Sequence, residues 1–211
     1  HVKSGTKIDL VLSKGRRPVP VPKVVGLTRA AARAEIVAGH LTPHSTRVYS
    51  ESVAPGIVVK ATPNSGTAGF GSTVSVEISR GPAPRTIPNL SGQPSTAAAS
   101  ALSALRLKPT ESAIYSPTVP SGMVISTLPA SGTVGVPVGT AVAVVVSKGP
   151  QPVAVPIVAG DAIADAVAAL RAAGLNVVEQ IGPPFATKAT TTNPAPGSTV
   201  LPGSDVTLYV A

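Results

Sequence analysis

A chain of 211 residues has room for one ordinary domain or several small ones, and 2% aromatic against 43% apolar residues leaves a single large core without its bulky fillers. The absence of Cys excludes disulfide scaffolds, thiolate metal sites and cysteine nucleophiles, and His1, His40 and His44 stand too far from other ligands for a zinc centre, so no metal or cofactor is expected. The formal net charge of +8 falls unevenly, with 11 basic and 4 acidic side chains in residues 1–81, 4 and 1 in 82–149, and 2 and 4 in 150–211.

The chain opens on His, with no basic-then-apolar leader, and is expected to be a segment whose targeting signals lie outside it. Its first element is Gly5-Thr-Lys-Ile-Asp-Leu-Val-Leu-Ser-Lys-Gly15, where Ile8, Leu10 and Leu12 alternate with the period of a half-buried strand. A junction of alternate prolines follows, Arg16-Arg17-Pro18-Val-Pro20, of a kind that favours stiff polyproline II. Val21-Pro22-Lys-Val-Val-Gly26 then leads into an Ala-rich stretch. Ala32 and Ile36 lie four apart there, which predicts an amphipathic helix over 28–39, capped by Thr28. Beyond Leu41, Val53-Ala-Pro55-Gly56-Ile-Val58 sets a turn before a strand. Pro63 to Gly66 make a second turn, proline fixing φ and glycine supplying a positive one. Gly71-Ser-Thr-Val-Ser-Val-Glu-Ile-Ser-Arg-Gly81 closes the unit as a strand like that of residues 5–15.

The same order returns twice. Ile87-Pro88 to Gly92 precede a helix over 95–105 on Ala98 and Leu102, with turns at Val119 to Val124 and Pro129 to Gly132 and a closing strand over 139–149. Val155-Pro156 to Gly160 precede a helix over 161–173 on Ala166 and Leu170, with Asp161 as its expected N-cap and Gly174 as the left-handed residue after it. The third unit is shorter between Leu175 and Pro194, which predicts a shorter hairpin there. Thr187 stands where Gly56 would fall and implies another kind of turn. The longest purely apolar run, Ala141 to Val146, is far below the ~20 residues that span a bilayer, so no membrane span is expected.

Taken in this order and spacing, three times over, the apolar-Pro-x-x-x-Gly opening, Ala/Leu helix, Pro-x-x-Gly turn and closing Val-x-Val-x-apolar-Ser-x-Gly resemble the PASTA domain of penicillin-binding proteins and serine/threonine kinases. The expected organisation is the last strand of a preceding repeat at 1–15 and complete repeats at 16–81, 82–149 and 150–211. The resemblance implies an α+β fold, a linear tandem array in which each repeat packs one helix on a small β-sheet. It also implies a non-catalytic extracellular sensor that binds peptidoglycan fragments or the wall precursor. The parent would be a bacterial transmembrane Ser/Thr kinase, anchored with this segment on the outer face of the cytoplasmic membrane. A PASTA appendage of a penicillin-binding transpeptidase and a structural spacer without ligand are the alternatives, and the oligomeric state is left open.

The residues themselves argue against catalysis. Gly66-Thr-Ala-Gly69-Phe-Gly71 has the look of a phosphate loop but lies between strands, with no helix N-terminus after it, and reads as a β-turn. Ser4-Gly-Thr-Lys7 has the spacing of a penicillin-reactive serine but lacks its partner motifs, and the His-Arg-Asp and Asp-Phe-Gly elements of a kinase do not occur. Asp161 and Asp165 read as helix-dipole acids rather than a catalytic pair. The ligand-binding candidates are therefore the cations at the repeat junctions, Arg16, Arg17, Arg80, Arg85 and Lys148, with Tyr49 and Tyr115, which share a register and could stack on a sugar or cover the sheet. Nucleic acid is not an expected partner, because the cations are not interleaved with stacking aromatics.

Overall fold

The computed structural model describes residues 3–5, 7 and 9–211 and divides after Pro84 into two compact units. Residues 9–15 form no strand, and Leu10, Val11 and Leu12 are exposed; Ile8, the first of the alternating set, lies outside the described residues. A closing strand needs flanking strands to cover its apolar edge, and among the described residues none pairs with this stretch.

The first unit runs β1 (Pro18–Pro20), α1 (Arg29–Ala38), β2 (Thr42–Val48), β3 (Val58–Thr62), β4 (Thr67–Gly69) and β5 (Thr73–Ser79). Strand β5 is central, with β2 parallel on one side and β3 antiparallel on the other. Its inward Val74, Val76 and Ile78 meet Ala32 and Ile36 of α1, and Val21, Val24, Leu41 and Val58 close the core. The expected helix stands, and the Thr28 hydroxyl accepts from the Ala31 N–H at 3.3 Å. The proline junction is not a free linker: β1 pairs antiparallel with β4. Two prolines are tolerated there because an edge strand needs donors on one side only.

The second unit repeats this plan twice. Its elements are α2 (Ser95–Ala104), β6 (Lys108–Ile114), β7 (Val124–Leu128) and β8 (Ala141–Ser147), then β9 (Val153–Ala154), α3 (Ile163–Ala172), β10 (Asn176–Ile181), β11 (Ala189–Asn193), β12 (Thr199–Val200) and β13 (Asp205–Val210). The sheets are ordered β6-β8-β7 and β10-β13-β11, and β9 pairs with β12. Each sheet covers its own cluster, one built on Ala98, Leu102 and Val142, the other on Ala166, Leu170 and Val206. The Pro-x-x-Gly turns recur as read, with Gly66, Gly132 and Gly197 at positive φ, and each begins at a cis proline, Pro63, Pro129 and Pro194.

Two expectations are corrected. Asp161 does not cap α3; Ala162 holds that position without a side-chain bond, and the Asp161 backbone is held in a turn to Val158 and by the Ala189 N–H. The stretch from Leu175 to Pro194 is not a hairpin: β10 and β11 never pair, and each flanks β13 instead. Thr187 does not take the positive φ of Gly56, as expected of another kind of turn; its N–H donates to the Ala211 carbonyl, and a separate turn just before it is closed by the Ala186 N–H donating to the Pro183 carbonyl. Gly182 lies so close to β13 that a Cβ would collide with the Val210 carbonyl.

Candidate functional site

In the first two repeats the parallel ladder runs past the ends of the strands. The Arg80 N–H donates to the Val48 carbonyl and the Ser50 N–H to the Gly81 carbonyl, at 2.8 and 2.9 Å, so Tyr49 sits beside Arg80. The Lys148 N–H bonds to Ile114 and the Ser116 N–H to Gly149, both at 2.8 Å, which sets Tyr115 beside Lys148 in the same way. The Arg80 guanidinium carbon lies 5.5 Å from the centroid of the Tyr49 ring, and the Lys148 Nζ lies 5.4 Å from that of Tyr115. Both rings are about half exposed, so neither is simply a cover for the sheet. A cation over an aromatic face is attracted by the ring quadrupole. The pair presents a flat apolar surface and a positive charge side by side, a combination suited to a sugar ring carrying a carboxylate.

Within the second unit, Tyr115 opens on a cleft of about 520 Å³ lined also by Pro117, Pro150, Gln151 and Pro202. Its walls come from two successive repeats. Three prolines make them rigid and apolar, and Gln151 adds a hydrogen-bonding group. Of this lining only Tyr115 was singled out as a candidate in the sequence. Pro202 stands at the far end of the third repeat, and only the folded chain brings it here.

The other candidates are placed differently. Arg85 donates through Nε to the Leu105 carbonyl at the end of α2, at 3.2 Å, while its backbone bridges Val136, so it is tied into its own repeat. Arg16 packs against the backbone of Gly69, where a Cβ would come within 3.0 Å of its own, and the Arg17 carbonyl accepts from the Phe70 N–H at 2.7 Å. Arg80 and Arg85 fall in different units. Among the described residues no cluster of His, Asp and Glu suits a metal ion, and no helix is long and apolar enough to cross a membrane.

The model of the PASTA domain family matches residues 19–80, 85–148 and 153–211. A protein of Corynebacterium glutamicum named "Probable serine/threonine-protein kinase PknB" is 32% identical over 195 residues, which cover 90% of this chain and 30% of that one. "Probable serine/threonine-protein kinase pknA2" of Bifidobacterium longum is 35% identical over 88 residues, 41% of this chain and 12% of its own. The chain thus spans less than a third of the length of these curated relatives. Among solved structures, the entire extracellular region of the Ser/Thr kinase PrkC from Staphylococcus aureus matches with a TM-score of 0.51 at 25% identity, covering 90% of this chain and 70% of that one. A three-PASTA-domain structure of a Ser/Thr kinase from Staphylococcus aureus matches in fold with a TM-score of 0.55 at 22% identity, over 92% and 98%. Three successive matches that leave only short joints between them, on a helix-and-sheet plan repeated three times, show that this chain belongs to the PASTA domain family.

Proposed function

We propose that this chain is the extracellular, ligand-binding sensor segment of a bacterial transmembrane Ser/Thr kinase, and that it binds peptidoglycan fragments. The observation that carries the reading is the match over 90% of the chain to a structure that is itself the extracellular region of such a kinase. The repeats run 16–81, 82–149 and 150–211, with 1–15 belonging to an earlier one. The binding surface is the paired tyrosine and cation of the first two repeats, Tyr49 with Arg80 and Tyr115 with Lys148, and the cleft beside Tyr115 is the larger pocket. A sugar ring lies on Tyr115 between the proline walls while Lys148 meets a stem carboxylate. The junction cations Arg16, Arg17 and Arg85 contribute positive field rather than a shaped pocket.

Titration calorimetry with a disaccharide carrying a free stem peptide tests this. Tyr115→Ala should weaken binding by about 1–3 kcal/mol, as loss of a ring from a binding surface does, and Lys148→Ala by less, because an exposed point charge is screened. Absence of any saturable heat with wall fragments would leave the spacer as the better description. Binding unaffected by both substitutions would move the site elsewhere.

A further inference from the structure

We propose that the first repeat carries a second site, a groove between α1 and β2 built to hold a phosphate-bearing ligand. Arg29 and Arg33 are one helical turn apart and so share a face of α1. Strand β2 pairs in register with β5, Pro43 opposite Val74, Ser45 opposite Val76 and Arg47 opposite Ile78. Laterally paired residues lie on the same side of a sheet. Because Val74, Val76 and Ile78 face the helix, Pro43, Ser45 and Arg47 do too, and Arg47 comes up beside α1. Two adjoining depressions result. One of about 40 Å³ is lined by Arg29, Arg33, Pro43, Ser45 and Val76. The other, of about 330 Å³, brings Arg29, Arg47 and Arg80 together over Ile78 and Ser79. Arg29 lines both, so the two form one run.

The charge in this groove is uncompensated. Among the described residues no ion pair neutralises Arg29, Arg33, Arg47 or Arg80. Arg29 is moreover the first residue of α1, and no acid stands in the first turn, so a cation sits where the helix dipole is already positive. Folding gains nothing from that arrangement, whereas an anion gains from every part of it. The other repeats lack it at the matching positions. Where the first has Arg29, Arg33, Ser45 and Arg47, the second has Ser95, Ala99, Glu111 and Ala113, with Glu111 and Ala113 again opposite Val144 and Val146. The third begins its helix with Ile163 and has Val167 one turn on.

Phosphate is favoured over carboxylate by the number of forks. One bidentate guanidinium engages both oxygens of a carboxylate and balances its single charge, whereas a terminal phosphate offers three oxygens and close to two charges, enough for several forks. The groove shares Arg80 with the Tyr49 surface but uses neither Tyr115 nor Lys148, so the cleft reading of the second repeat can stand or fall without it.

The test is amide chemical-shift titration of the intact chain with inorganic pyrophosphate, with citrate at matched ionic strength as the carboxylate control. The expected result is a saturable shift at residues 29–33, 45–47 and 78–80, with the matching residues of the second repeat unmoved. The double variant Arg29→Ala/Arg47→Ala, and Ser45→Glu, which copies the second repeat and so suits the fold, should each weaken pyrophosphate binding about tenfold or more. Tyr115→Ala should leave it unchanged. Replacing Arg47 by Lys should lose part of the affinity although the charge remains, because the fork is gone. Glycerol phosphate in solution and vesicles containing phosphatidylglycerol, added in parallel, distinguish a free phosphate from a lipid headgroup as the natural source. The proposal is overturned if pyrophosphate gives no saturable shift, if citrate binds as tightly, or if the arginine variants bind as the wild type does.

Discussion

Ser79 and Ser147 are buried polar residues that the closing motif places at the end of the central strand. Each hydroxyl donates to a carbonyl of the preceding turn, Val53 at 2.7 Å and Val119 at 2.6 Å, and accepts from the N–H of Gly81 or Gly149 at 2.9 Å. The serine of Ser-x-Gly is therefore a clamp between the strand end and the turn before the third strand of the sheet. Ser147→Ala should lower the stability of the second repeat by about 1–3 kcal/mol, since both partners become unsatisfied in a buried place. Hydrogen exchange at Val142 to Val146 would register it, and protection equal to wild type would mean that water replaces the hydroxyl without loss. Another residue-scale feature was only partly legible. His40, Arg106 and Gly174 all have positive φ, at 56°, 58° and 77°. The step turns the chain so that Leu41, Leu107 and Leu175 can donate back to the helix and enter the core. Glycine announces such a conformation, while histidine and arginine do not.

At the scale of elements, what the sequence reveals depends on which faces a strand buries. Strands β5, β8 and β13 bury every second residue over most of their length because one face lies against the helix, and their positions could be read from the sequence to within about two residues at each end. Strands β2, β6 and β10 are edges, polar and exposed along most of their length, so their sequences carry no clean period and their parallel pairing is invisible before folding. The same blindness hid the arginine groove. Arg47 lies 18 residues from Arg29, and only the parallel register of β2 on β5 sets them side by side. The helices were legible throughout, since in each an Ala is followed four residues later by Ile or Leu on the same face. Leu170 is fully buried in a cluster that shares no residue with the other two. Leu170→Asp should accordingly unfold the third repeat, because an unpaired buried charge outweighs the few kcal/mol that so small a core supplies. Signals of Val142 to Val146 should persist in that variant, and their loss together with those of the third repeat would show that the two repeats of the second unit fold as one.

Over the whole molecule, charge is graded along the chain: residues 1–81 carry 11 basic against 4 acidic side chains, while 150–211 carry 2 against 4. Any anionic ligand is attracted over a distance to the first two repeats and weakly repelled by the third. Such steering acts on the rate of association and is lost as ions screen it. Between roughly 0.01 and 0.15 M salt the screening length falls from about 30 to about 8 Å, so the association rate for a muropeptide with free carboxylates should fall while dissociation changes little. Arg80→Ala with Arg85→Ala should slow association more than Arg171→Ala, the latter being on the acidic repeat and at the last turn of α3, where its charge is already offset by the helix dipole. Stopped-flow measurements at two salt concentrations decide it. An association rate indifferent to salt, or more sensitive to Arg171 than to the other two, would place recognition in apolar contact on the third repeat and leave the charge gradient without a part in binding.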